Sequence, residues 1–104
     1  MYINGKRVYD FNFQLQDFLA DRGVGVICHE FFHTLGAPDL YHYTSNGISP
    51  AGAWDLMNSD QNPPQHMTAF MKYKYGDWIA SIPTLSADGV YTLNPLTSAT
   101  GQAY

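Results

Sequence analysis

The residues able to do chemistry are concentrated in one stretch, Cys28-His29-Glu30-Phe31-Phe32-His33-Thr34-Leu35-Gly36-Ala37-Pro38-Asp39. On a helix, residues four apart advance by about 400°, so His29 and His33 lie one turn apart on the same face. Two imidazoles at that separation can hold one tetrahedral Zn²⁺, with Zn–N distances of roughly 2.0–2.1 Å. Glu30 is offset by about 100° from His29. It therefore flanks such a metal without ligating it, and can take a proton from the metal's water. Gly36 supplies the left-handed residue that ends a helix, after which the chain can turn and bring Asp39 back toward the imidazoles. These features read as the active site of a zinc hydrolase.

The chain has four histidines, and Glu30 is its sole glutamate. A zinc site completed by a downstream glutamate therefore cannot be built, and aspartate must serve. The downstream candidates are Asp39, Asp55, Asp60, Asp77 and Asp88. Asp39 follows His29 at the spacing of the third ligand in the elongated zinc motif, and is the residue chosen. The competing reading is a buried amphipathic helix whose histidines bond to their neighbours. Such a helix has no reason to place a glutamate beside two histidines.

The pattern His29-Glu30-x-x-His33-x-x-Gly36-x-x-Asp39 resembles the elongated zinc motif of metzincin-type peptidases, in the variant with aspartate as third ligand. Gly52-Ala53-Trp54-Asp55-Leu56-Met57 resembles the segment carrying the Met-turn of those enzymes. The combination is most similar to the immune inhibitor A-type peptidases, the M6 family, and more distantly to the snapalysin-type peptidases. Met67 to Ile79 resembles the helix and Gly-Trp-Ile exit that follow in the M6 family. In all, the resemblance covers roughly residues 8 to 80. It implies a secreted, zinc-dependent endopeptidase with Zn²⁺ on His29, His33 and Asp39, Glu30 as general base, Met57 as the Met-turn residue, and a protein or peptide substrate. It also implies an α+β, zincin-like fold. The tyrosine that usually follows the Met-turn is not matched, since Asn58, Ser59 and Asp60 come next. Tyr41, His42 and Tyr43 are the alternative donors for a developing oxyanion.

Composition bounds the answer. At 104 residues the chain makes one domain at most, with a small core. A net charge of −4 and a charged fraction of 13% argue against a nucleic-acid partner, which would want a basic stripe. The single cysteine cannot form an intramolecular bridge, and Cys28 reads as a small apolar residue on the buried side of its helix. No stretch approaches the roughly twenty apolar residues of a membrane span. Residues 1–20 mix charged and amide side chains and do not read as a signal peptide. Set against a secreted family, that points to a partial catalytic domain from a longer precursor. Exposed strand edges would then leave it prone to self-association.

The elements that must position the site follow from pattern. Asn4-Gly5 is a hairpin signal joining Tyr2-Ile3 to a strand over residues 6–14, where Tyr9, Phe11 and Phe13 alternate with polar residues. The active-site helix is expected over about 23–35, with Asp21 as its cap. Its buried stripe is expected to be Val24, Ile27, Cys28, Phe31 and Leu35. Gly23 and Gly25 are weak helix formers, which suggests close approach of another backbone. Residues 37–57 have no period and form a long loop carrying Asp39 and one wall of the cleft. The Met-turn-like segment, residues 52–57, passes beneath the metal, with Met57 as an apolar floor and Asp55 available to orient a ligand imidazole. Asn62-Pro63-Pro64 starts a second helix over about 64–75, with His66 facing solvent. Trp78, Ile79 and Ile82 extend the core, and Gly89 to Leu93 alternates like a strand.

The resulting expectation is zinc-assisted peptide hydrolysis, Glu30 taking the proton of the attacking water and returning it to the leaving amine. Its rivals are a zinc-binding but inactive fragment and a non-catalytic interaction module with an aromatic surface.

Overall fold

A computed structural model describes residues 1–44 and 47–95. Among them the elements are strands β1 (Tyr2–Ile3) and β2 (Lys6–Arg7) and helices α1 (Gln16–Arg22), α2 (Gly25–Thr34) and α3 (Ala69–Lys74), with a 3₁₀ turn at Gly52–Trp54. This is an α+β arrangement.

The hairpin forms where Asn4-Gly5 predicts it. Both residues take positive φ, 49° and 74°, as the tight turn requires. The strands pair antiparallel, Tyr2 with Arg7 and Ile3 with Lys6. The expected strand over 6–14 stops at Arg7. A strand needs a neighbour for its backbone groups, and among the described residues β2 pairs only with β1. Tyr9, Phe11 and Phe13 are consequently exposed. Gly89–Leu93, also expected as a strand, does not form one, and Val90 is exposed.

Residues just before the expected active-site helix form a helix of their own, α1. Asp21 lies inside it rather than capping α2. Gly23, at φ 60°, ends α1, and α2 begins without a side-chain cap. The close approach inferred from the glycines is present. A Cβ on Gly25 would stand 2.1 Å from the carbonyl oxygen of Gln61, and one on Gly23 would stand 2.5 Å from the Asn62 side chain. These contacts bring the segment after the Met-turn-like stretch against the start of α2.

The burial of α2 is the reverse of that expected. Gly25, Val26, His29 and Phe32 are its buried residues, whereas Val24, Ile27, Phe31 and Leu35 are exposed, as is Cys28. The loops and α3 pack on the side that carries the imidazoles. Phe32, Ala37, Met57 and Met71 form the core cluster there, with Leu40, Met67 and Tyr75 packed against it. Ile79 is buried, but Trp78 is exposed on one side while its ring stacks on Phe32 at 5.6 Å.

Helix α3 is shorter than the expected 64–75. The backbone before it is already committed: the His66 carbonyl accepts from the Leu56 N–H at 3.2 Å, and the Thr68 N–H donates to Asp55 Oδ2 at 2.6 Å. Thr68 is held extended, at ψ 155°, until the helix starts at Ala69. Lys72 and Lys74 lie in its last turn, where they favour the negative end of the helix dipole.

Candidate metal centre

His29 and His33 project from one face of α2, their ring centroids 4.9 Å apart and nearly perpendicular. Leu35 closes the helix and Gly36, at φ 93°, turns the chain. A backbone bond of 2.9 Å from the Gly36 N–H to the His33 carbonyl fixes that turn. Asp39 then returns to the imidazoles. Its Oδ1 lies 3.0 Å from His29 Nε2 and 3.3 Å from His33 Nε2. The three ligating atoms all fall within 4.8 Å of one another, so the structure brings together the trio chosen from spacing.

The other nitrogen of each ring is occupied. His29 Nδ1 is 2.9 Å from the Leu56 carbonyl oxygen, and His33 Nδ1 is 2.7 Å from the Ala37 carbonyl oxygen. A carbonyl can only accept, so both Nδ1 atoms carry the proton, and in a neutral imidazole Nε2 is then a bare lone pair. Asp39 Oδ1 is buried and has no hydrogen-bond partner. With both rings neutral, two nitrogen lone pairs and a carboxylate oxygen converge with no proton among them. An unpaired buried acceptor is costly, and a cation shared by all three removes that cost. The donor set fits a metal ion, and its borderline nitrogen and hard oxygen suit zinc.

Two tyrosines surround the carboxylate. The Tyr43 hydroxyl donates to Asp39 Oδ2, and the Tyr41 ring stacks over His29 at 6.4 Å and meets the Tyr43 ring edge-on at 5.1 Å. Burial pushes the Asp39 carboxyl up. The hydroxyls of Tyr43 and Tyr41 and the nearby His33 and His29 outweigh it and hold the group below its ordinary 3.8. Burial, then hydrogen bonding to Tyr43 and Asp39, pushes the Tyr41 phenol up.

Asp55 does not orient an imidazole, in contrast to expectation. It is fully buried, and its Oδ1 accepts from the Met57 N–H at 2.8 Å while Oδ2 accepts from Thr68. The carboxylate therefore shapes the turn that presents the Leu56 carbonyl to His29. Met57 is fully buried in the core cluster, and its carbonyl accepts from the Leu40 N–H at 2.9 Å, next to Asp39 in sequence. His66 is exposed, beside Lys72. The two ring-holding carbonyls had no signal in the sequence, because backbone acceptors are the same at every position. Tyr43 stood among the oxyanion candidates, but it is bonded to Asp39 instead.

Glu30 is half-buried on the adjacent face of α2. It lines a cavity of about 260 Å³ together with His29, Tyr41, Phe18 and the Arg22–Asp60 ion pair. A larger concavity of about 620 Å³, between Leu85 and Tyr91, includes none of the candidate residues. The geometry of the first cavity, with its carboxylate beside a three-donor cluster, is the one suited to hydrolysis.

Neither the curated proteins nor the solved structures contain a match to this chain. The profile of the immune inhibitor A peptidase M6 catalytic domain matches residues 2–79. With three quarters of its length covered, including every residue of the cluster, the chain belongs to the M6 peptidase family.

Proposed function

We propose that this chain is a zinc-dependent endopeptidase, with Zn²⁺ held by His29, His33 and Asp39 and Glu30 as general base. The observation that carries the reading is the convergence of two Nε2 atoms on a carboxylate oxygen that has no hydrogen-bond partner, beside a cavity that Glu30 also lines. Bound zinc would supply Lewis acidity, polarising the scissile carbonyl and acidifying the attacking water. Glu30 accepts that water's proton and delivers it to the leaving amine. Tyr41 is the one of the three oxyanion candidates that lines the Glu30 cavity, and we assign it the carbonyl of the substrate. Met57 takes the place of the Met-turn residue in a metzincin-like catalytic domain. Family membership supports a protein or peptide substrate, and among the described residues no helix is long and apolar enough to cross a membrane. On the same reading the protein works outside the cytoplasm.

The test is metal content and peptide cleavage in wild type, Glu30→Gln and Asp39→Ala. Wild type should hold about one zinc per chain, and Asp39→Ala should lose it or bind it far more weakly. Glu30→Gln should keep the metal and lose about 10²–10⁴-fold in turnover, the contribution of a positioned acid–base group. Normal cleavage by Glu30→Gln would refute the mechanism.

A further inference from the structure

We propose that Tyr43 is a positioning residue that fixes how Asp39 is offered to the metal, engaging one carboxylate oxygen so that the other alone faces the imidazoles. The proposal rests on the metal-site reading above and adds a residue to it.

The terminal torsion of an aspartate is broad and roughly two-fold. Nothing in the Asp39 backbone therefore decides which oxygen turns inward, or whether both do. The hydrogen bonds decide it. Oδ2 accepts from the Tyr43 hydroxyl, while Oδ1, without a hydrogen-bond partner, stands 3.0 and 3.3 Å from the two Nε2 atoms. With Oδ2 held, Asp39 contributes one donor atom. Two nitrogens and one oxygen leave a coordination position open, as catalytic zinc sites require and structural sites do not. A carboxylate free to chelate through both oxygens would fill that position.

The way Tyr43 sits supports a role for its hydroxyl rather than its ring. The residue is 78% exposed, so little is gained by burying it. Its hydroxyl nonetheless reaches a carboxylate whose side chain is only 10% exposed. The spacing is local, four residues from Asp39 within one loop, and the Tyr41 ring braces it edge-on at 5.1 Å. A phenol bonded to the outer oxygen of Asp39 acts through that carboxylate, as partners of metal ligands commonly do.

The experiment compares wild type with Tyr43→Phe. Phenylalanine keeps the ring and the residue is exposed, so far-UV circular dichroism should be unchanged. Two quantities are read: zinc affinity by competition with a chromophoric chelator, and the visible absorption of the chain loaded with Co²⁺ in place of zinc. Tyr43→Phe is expected to weaken zinc about 10–100-fold and to alter the cobalt band, because the carboxylate is no longer held to one oxygen. Unchanged affinity overturns the proposal whatever the band does. Weakened affinity with an unaltered cobalt band also overturns it, since the ligand arrangement is then indifferent to the hydroxyl. A wild-type chain that binds neither metal overturns the metal-site reading and this proposal together. One that binds both, with Tyr43→Phe behaving as wild type, overturns the proposal alone.

Discussion

The imidazole of His29 is fastened to the carbonyl of Leu56, 2.9 Å away and 27 residues along the chain. The bond fixes the ring's tautomer as well as its orientation, and so decides that Nε2 is the atom available to a metal. What places the Leu56 carbonyl is the carboxylate of Asp55, fully buried and bonded to the N–H groups of Met57 and Thr68. One side chain thus ties together the turn, the residue preceding α3 and, through Leu56, the metal face of α2.

Asp55→Asn tests that linkage. An amide offers one acceptor oxygen and turns an NH₂ toward an N–H that had been paired, leaving a buried donor unsatisfied. The expected cost is about 1.5–3 kcal/mol of folding stability, the range for a hydrogen bond to a charged group. Zinc affinity should fall with it, although Asp55 is not a ligand. Urea unfolding of the metal-free chain and a zinc titration check the two halves. Wild-type stability in the variant would mean that the turn is held by other contacts.

The convergence of His29, His33 and Asp39 is legible because its constraints are local. A helical repeat sets His29 against His33, and a positive-φ glycine at Gly36 returns the chain at Asp39. The hairpin at Asn4-Gly5 and the close approach at Gly25 were legible for the same reason, since a small set of backbone geometries demands those residues. The carbonyls of Leu56 and Ala37 were not, because their identity as partners depends on where two loops fall and not on side-chain type. The buried face of α2 is not legible, on different grounds. Periodicity marks Val24, Ile27, Cys28, Phe31 and Leu35 as one apolar face but says nothing about which face the rest of the chain covers. The chain covers the other one, because Ala37, Met57 and Met71 pack there around Phe32. Residues 8–14 likewise carry strand alternation but, among the described residues, have no strand to pair with.

The Asp39 carboxyl predicts an acid limb. Its folded pKa lies below the ordinary 3.8, so near that value the folded state binds fewer protons than the unfolded state. The stability it contributes is complete above the unfolded value and is lost as pH falls through the folded one. In the chelator-treated chain, the urea midpoint should drop as pH is lowered from about 4. Asp39→Asn should show a shallower drop over the same interval. Parallel curves for the two proteins would show that the surrounding hydroxyls and imidazoles do not stabilise the carboxylate.

Phe31 and Phe32 are neighbours in α2 with opposite environments, 59% and 2% exposed. Phe32 contacts Ala37, Met57 and Met71 in the core and stacks on Trp78 at 5.6 Å. Removing its ring leaves a cavity that the surrounding loops can fill only in part, so Phe32→Ala should cost about 3–5 kcal/mol. The same cluster includes Ala37, whose carbonyl holds His33, so metal affinity should suffer too. Phe31→Ala removes a ring that is already largely in water and replaces it with a better helix former, so its effect should stay within about 0.5 kcal/mol. Denaturant melts of the two variants decide which face of α2 is the inside one. Comparable losses at both positions, or a larger loss at Phe31, would mean that the apolar stripe is covered in solution and that the orientation of the helix differs from the one described.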